Sequence, residues 1–157
     1  MEPKFKLLCV YDPGAVLKAW PFVSSGVERI LDNAGTDTSM DKILNDLLNG
    51  SLLLWMMFID GAYSGFATTR ITSTPPYGKS LWIVHTYKKM KVPTEWMMKA
   101  LEEIERFAQS QGCTNIRFYA LPKPWQEKMK AAGYEPGYVE FVKEIWNEDL
   151  HKDRNES

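Results

Sequence analysis

The segment from Leu81 to Thr86 constrains the fold more than any other part of this sequence. It is rich in β-branched and aromatic residues, and it therefore predicts a strand. Leu81 and Ile83 would point to one face of that strand, and Trp82 and Val84 to the other. Because both faces are apolar, we expect the strand to lie inside a sheet that is covered on both sides.

The clearest helical pattern in the chain follows this strand and begins at Pro93 and Thr94. Apolar residues recur every three or four positions as far as Ala108, charged residues occupy the outer face, and Gly112 ends the helix. The next segment, Thr114–Ala120, predicts another strand. A strand, a helix and a second strand in this order indicate a right-handed crossover between parallel strands.

The first half of the chain predicts a strand followed by two helices. Phe5–Val10 indicates the strand, and a helical spacing of apolar residues starts at Ala15. We expect this first helix to be kinked or split near Pro21, because a proline inside a helix removes a backbone hydrogen bond. The second helix is expected to begin at a capping box formed by Thr38 and Asp41.

A hairpin then leads to the central strand. Leu52–Ile59 is continuously apolar, Asp60-Gly61 is a typical two-residue turn, and Gly65–Ile71 returns as the partner strand. These elements predict an antiparallel pair directly before the strand that has two apolar faces.

The C-terminal part adds a short helix at Trp125–Ala132 and a last strand at Tyr138–Ile145. The predicted order is β-α-α-β-β-β-α-β-α-β. It indicates an α/β fold in one domain over residues 1–146, followed by a polar tail over residues 147–157. The sheet would be mixed but mostly antiparallel, with about six strands and helices on both faces.

Charge and cysteine content argue against several classes of function. The net charge of −1 gives no basic surface for nucleic acid, and Cys9 and Cys113 lack the spacing of metal ligands. No apolar segment is long enough to span a bilayer, and the N-terminal residues do not resemble a signal peptide. The sequence therefore predicts a soluble cytoplasmic protein with no metal, no membrane and no nucleic-acid partner.

Short motifs lie at the boundaries of the predicted elements. They are Leu47-Leu48-Asn49-Gly50 before the strand with Trp55, Asp60-Gly61, Glu95-Trp96, Gln111-Gly112-Cys113, Trp125-Gln126-Glu127 and Gly133-Tyr134. Together with the element order they resemble the Gcn5-related N-acetyltransferase (GNAT) superfamily along nearly the whole chain, most strongly over Leu81–Ile145. More narrowly, the sequence resembles the GNAT-like proteins that are encoded in tailed-phage genomes.

This resemblance implies a site for acetyl-CoA. In the superfamily, the pantetheine arm pairs with the free edge of the fourth strand, and the pyrophosphate lies at the N-terminus of the next helix. The cofactor-binding candidates that follow for this chain are Val84, His85, Thr86, Lys88, Lys89, Lys91 and Thr94.

The phosphate loop departs from the family pattern Gln/Arg-x-x-Gly-x-Gly/Ala. Those positions fall on Val92, Glu95 and Met97, and no glycine occurs between Lys79 and Gln111. Glycine allows a phosphate to approach the backbone closely, and a carboxylate in the first helical turn repels it. Phosphate binding would therefore depend on the lysine side chains, for which a purely solvated loop is the alternative.

The catalytic residues that the resemblance implies are also only partly present. Met129 occupies the position of the family's frequent general acid, a tyrosine, so that Tyr119 and Tyr134 are the candidate substitutes. His85 is the candidate general base, because its intrinsic pKa lies close to neutral pH. A structural role is the alternative for each of these three candidates.

Two functions remain open from the sequence. The first is an acyl-CoA-dependent N-acyltransferase that transfers acetyl to the amine of a small molecule or a protein in the host cytoplasm. The second is a catalytically degenerate GNAT-fold binding or structural module, such as a phage virion or assembly component with a phage protein partner. The high content of aromatic residues, 13%, favours the second, because surplus aromatics can form an exposed binding patch.

Overall fold

The computed structural model describes residues 4–34, 38–74, 78–118, 123–136 and 143. They belong to two compact units, Met1–Ala120 and Leu121–Ser157, each of which is described by itself. The elements are β1 (Phe5–Val10), α1 (Pro13–Ala34), α2 (Met40–Leu48), β2 (Leu53–Ile59), β3 (Ala62–Thr74), β4 (Gly78–Lys88), α3 (Thr94–Ser110), β5 (Asn115–Phe118) and α4 (Lys123–Ala131). Only α4 lies in the smaller unit.

The larger unit contains a five-stranded sheet in the order β1-β2-β3-β4-β5. Strands β1 to β4 pair antiparallel with their neighbours, and β5 pairs parallel with β4. The predicted α/β class with a mixed, mostly antiparallel sheet is confirmed, and β4 lies between two strands as its two apolar faces required. The sixth predicted strand, Tyr138–Ile145, falls almost entirely outside the described residues.

Helices α1 and α2 cover one face of the sheet, and α3 covers the other. Leu54 and Met56 of β2 belong to the apolar core that α1 and α2 form on the sheet. The ring of Trp55 between them instead lies 5.1 Å from the ring of Phe107 in α3, measured between centroids. Because successive residues of a strand point to opposite faces, these contacts place the helices on opposite sides. None of the described helices is both long and apolar enough to cross a membrane.

Helix α1 is one helix from Pro13 to Ala34, so the predicted split at Pro21 is wrong. Pro21 leaves the carbonyl of Leu17 without its helical donor. Both residues lie on the exposed face of α1, where water can hydrate that carbonyl. Val16 and Val23, buried on either side of the proline, hold the helix on the sheet. Tertiary packing therefore outweighs the local effect of the proline.

The capping box predicted at Thr38 and Asp41 is also wrong, by one residue. The hydroxyl of Ser39 caps α2 and accepts a hydrogen bond from the N–H of Lys42 at 3.1 Å. Asp41 lies in the first turn, where its carboxylate interacts favourably with the positive end of the helix dipole. The helix start was therefore found from the sequence, but its capping residue was not.

The predicted hairpin at Asp60-Gly61 is confirmed. Both residues have positive φ angles, 51° and 80°, as a two-residue turn with the twist of its flanking strands requires. Strand β3 runs on to Thr74, beyond the end predicted at Ile71.

Replacing Thr69 tests a buried hydrogen bond between two strands. The indole N–H of Trp55 donates to the Thr69 hydroxyl at 2.9 Å, and both residues are buried. Thr69→Val keeps the shape of the side chain but leaves the N–H without an acceptor, which costs about 1–3 kcal/mol. We expect a loss of that size in the free energy of unfolding, measured by denaturant titration. Thr69→Ser keeps the hydroxyl and should lose clearly less; equal losses in the two variants would contradict the assignment.

Candidate functional site

Strand β4 contains a β-bulge at Val84. Thr68 of β3 pairs with His85, whereas the next residue, Thr69, pairs with Ile83. Val84 consequently has no partner in β3, and the side chain that follows it is turned relative to a regular strand. Val84 itself packs against the core under α1 and α2. Bulges of this kind often redirect a side chain beside an active site.

The other edge of β4 is paired over only its first part. Its described pairs with β5 run from Ser80 with Asn115 to Ile83 with Phe118. Strand β4 then continues to Lys88, still paired with β3. Within the described ranges, the segment from Val84 to Tyr87 therefore has a partner strand on one side only. Such an edge can accept an extended ligand through backbone hydrogen bonds.

His85 lies where the bulge and the open edge meet. Its Nδ1 atom is 2.7 Å from the hydroxyl oxygen of Thr68, which is fully buried. The imidazole is half-buried, and this burial lowers the pKa of His85. Arg70, two residues along β3 from Thr68, lowers the pKa of His85 further through its positive charge. Both effects favour the neutral form of His85.

An ion-pair network fixes Arg70 near the histidine. Its guanidinium lies 3.4 Å from one carboxylate oxygen of Asp46 in α2, and the ammonium of Lys42 lies 3.0 Å from the other. Asp46 is buried, with a relative exposure of 5%, so it has both charged partners that a buried carboxylate needs. The network ties α2 to β3 next to the pair of Thr68 and His85.

The N-terminus of α3 follows the open edge in sequence. Its capping position is Pro93, which makes no side-chain capping bond. Val92 is buried, and Glu95 is exposed in the first helical turn. The carboxylate therefore stands at the positive end of the helix dipole, as the sequence predicted, and weakens the attraction of that end for an anion.

The three loop lysines have different surroundings. Lys88 ends β4 opposite Gly65, and Lys91 lies exposed just before α3. The ammonium of Lys89 instead lies 5.7 Å from the ring centroid of Tyr63, and its backbone N–H donates to the Ser64 carbonyl. This contact gives Lys89 a cation–π role on the α1 face. Lys91 is thus a better candidate for an anion than Lys89, and Lys88 stays a candidate at the end of β4.

The described residues of the larger unit include neither tyrosine candidate. Tyr119 lies outside them. Tyr134 belongs to the smaller unit, where it is half-buried and its backbone N–H donates to the carbonyl of Met129. Met129 is buried there, with a relative exposure of 5%. A role for either tyrosine stays a prediction.

Sequence reasoning missed Thr68 and Arg70 as members of the site. The alternation of β3 indicates that the two share a face, but nothing local in the sequence pairs Thr68 with His85. That pairing depends on the bulge, which shifts the register between β3 and β4. Among the described residues, no group of histidine, cysteine and acidic side chains could hold a metal ion.

Solved acetyltransferases are similar in fold to this chain. A predicted acetyltransferase from Clostridium acetobutylicum with acetyl-CoA matches 90% of this chain and 96% of its own length, at 17% identity and a TM-score of 0.65. A GCN5-related N-acetyltransferase from Ralstonia eutropha matches 92% and 99%, at 19% identity and a TM-score of 0.61. An aminoglycoside N-acetyltransferase in complex with CoA matches 92% and 96%, at 14% identity and a TM-score of 0.63.

These proteins are similar to the chain in fold, but their sequence identity to it is low. No protein-family model matches the chain, and no curated protein sequence matches it. The predicted GNAT-like fold is confirmed.

Replacing Arg70 tests the electrostatics around His85. Arg70→Gln removes the positive charge, so we expect the pKa of His85 to rise towards about 6.5 while staying below it, because burial is the larger cause. The pKa is measured by NMR titration of the imidazole C–H signals. Because the folded state resists protonation, the free energy of unfolding should fall as the pH drops below about 6.5, and less steeply in the variant. Arg106→Gln on α3 is the control, and equal pKa values in both variants would contradict this account.

Proposed function

We propose that this chain is an acyl-CoA-dependent N-acyltransferase that transfers acetyl from acetyl-CoA to an amine. The observation that carries the proposal is the edge of β4 from Val84 to Tyr87, which has no partner strand on its β5 side in the described residues and begins at a bulge. An extended pantetheine arm carries amide groups that can bond to such an edge as an added strand would. Structures with the same fold contain acetyl-CoA or CoA, which supports this ligand.

The reaction needs an amine, a thioester and a way to accommodate charge on the carbonyl oxygen. The neutral amine attacks the carbonyl carbon, a C–N bond forms and the C–S bond breaks. The sulfur leaves with the electron pair, and the proton lost by the amine balances the thiolate to give the free thiol. Holding the two reactants at the bulge supplies the orientation that accelerates this step. We assign His85 to the acyl end of an edge-bound thioester, and its position next to the bulge supports this assignment.

The phosphate end supports a second candidate, a GNAT-fold binding module that has lost the cofactor. The specific observation is Glu95, which is exposed in the first turn of α3. In addition, Pro93 at the capping position makes no side-chain capping bond, and the loop contains no glycine. In this case the chain would bind a protein partner, for which the sequence resemblance proposes a phage protein, and it would bind no acetyl-CoA.

Titration with acetyl-CoA separates the two candidates and tests the lysines. We expect calorimetric binding of acetyl-CoA by the wild-type chain. Lys88→Ala with Lys91→Ala should weaken it at least about tenfold, because one charge-assisted hydrogen bond to phosphate contributes ~1.5–3 kcal/mol. Lys89→Ala should have a smaller effect, since its ammonium lies over Tyr63.

Two controls make this titration specific. Lys6→Ala with Lys18→Ala removes the same charge from exposed positions on β1 and α1, and should leave the affinity unchanged. S-acetylpantetheine lacks the diphosphate and should bind all of these variants equally. A wild-type chain that binds no acetyl-CoA at high micromolar concentration refutes the acyltransferase and leaves the binding module.

Replacing Glu95 tests the helix N-terminus directly. Glu95→Gln removes the negative charge from the first turn, so we expect acetyl-CoA to bind ~2- to 5-fold tighter, since such a charge contributes ~0.3–1 kcal/mol. Glu102→Gln, on the exposed face of the same helix but beyond its first turn, is the matched control. Equal affinities of the two variants would show that the diphosphate does not approach α3.

A further inference from the structure

The hydroxyl of Thr68 has one hydrogen-bond partner in the part of the chain that the structure describes. That partner is Nδ1 of His85, at 2.7 Å. The Thr68 side chain has a relative exposure of 0%, so water cannot reach it. The direction of this hydrogen bond therefore depends on the donors and acceptors of the two groups. The hydroxyl carries one hydrogen and two lone pairs, and a neutral imidazole carries one N–H and one lone pair.

Two arrangements of the hydrogens are conceivable, and they differ in what they leave unsatisfied. If Nδ1–H donates to Thr68, the hydroxyl hydrogen is buried with no acceptor, which is an unfavourable state for a polar group. If the hydroxyl donates to Nδ1, every buried donor of the pair has its acceptor. The second arrangement is favoured, and it places the proton of the neutral imidazole on Nε2.

Protonation of Nδ1 is disfavoured for the same reason. An imidazolium would present Nδ1–H to a hydroxyl that must then turn its own hydrogen away into the core. The positive charge of Arg70 in β3 disfavours a second positive charge on the imidazole of His85. The guanidinium of Arg70 is itself paired with the carboxylate of Asp46 in α2. Both effects favour the neutral ring, with its Nε2–H directed away from Thr68.

We propose that His85 is a hydrogen-bond donor to the acyl carbonyl oxygen of the bound thioester through Nε2–H, and that Thr68 is the positioning residue that keeps the proton there. This inference rests on the proposed function and specifies the role of one residue in it. A fixed donor aimed at a carbonyl oxygen stabilises the negative charge that develops on it in the transition state. A neutral imidazole with Nε2 protonated has no lone pair there, so His85 does not take the proton of the amine.

The role of a donor differs from that of a general base in its pH dependence. A base at position 85 makes the rate fall as His85 becomes protonated. A donor keeps its N–H in both protonation states, so the rate has no acidic limb at the pKa of His85. The amine must then arrive neutral, and its own pKa governs the rise of the rate with pH.

The tautomer is measured first, in the chain without ligand. Protonated and unprotonated ring nitrogens resonate in separate ¹⁵N ranges, and the chain contains two histidines, so His151→Gln assigns the signals of His85. We expect Nε2 to be protonated and Nδ1 unprotonated at pH 7. Thr68→Ser should keep this state, and Thr68→Val should give a mixture of tautomers. A Nδ1–H tautomer in the wild-type chain overturns the inference.

Turnover of acetyl-CoA then distinguishes donor from base. Gln at position 85 can place an amide N–H near the position of Nε2 but cannot act as a base. We expect His85→Ala to lower kcat at least about tenfold and His85→Gln to recover most of that loss. The wild-type pH profile should show the limb of the amine but no limb at the pKa of His85. Equal loss of kcat in both variants, or an acidic limb that moves with the pKa of His85 in Arg70→Gln, overturns the inference.

Failure of this inference can be told from failure of the proposed function. A Nδ1–H tautomer refutes the donor role whatever the turnover. A Nε2–H tautomer in a chain that neither binds nor turns over acetyl-CoA supports the effect of Thr68 on the ring and refutes the acyltransferase.

Discussion

The long ladder between β3 and β4, with its bulge at Val84, underlies both the fold and the candidate site. Against β3 the strand is paired as far as Lys88, and this ladder keeps it in the middle of the sheet with helices on both faces. Against β5 the described pairs end at Ile83. A strand held firmly on one edge can leave the other edge open without unfolding, because its backbone groups there can bond to water or a ligand. The bulge at Val84 marks the place where one condition changes to the other.

Two adjacent threonines of β3 connect the core to this place. Thr69 accepts a hydrogen bond from Trp55 on the face that α3 covers, and Thr68 bonds to His85 on the face that α1 and α2 cover. Both hydroxyls are buried, and each has a single ring nitrogen as its partner. Because successive residues of a strand point to opposite faces, Thr69 contacts Trp55 on the α3 side and Thr68 orients His85 on the other side.

The two ends of the site differ in how well they are prepared for a ligand. At the proposed acyl end, the bulge and Thr68 position one imidazole, and burial and the charge of Arg70 lower its pKa. At the phosphate end, the loop has no glycine, and Glu95 stands in the first turn of α3. If strand pairing holds the ligand, its affinity depends less on the diphosphate than it would if a helix N-terminus held the ligand. This difference makes the acyl end the better defined part of the site.

The sequence by itself determined the elements and the central position of β4, because periodicity, two apolar faces and the Asp60-Gly61 turn are local properties. It also located His85 and the loop lysines. Tertiary structure decided that α1 continues through Pro21, since buried side chains on either side outweigh one lost hydrogen bond. It also decided that His85 meets Thr68, because strand register is set by contacts between residues far apart in the chain. The one-residue bulge in β4 brings Thr68 and His85 together, and no local pattern in the sequence indicates that bulge.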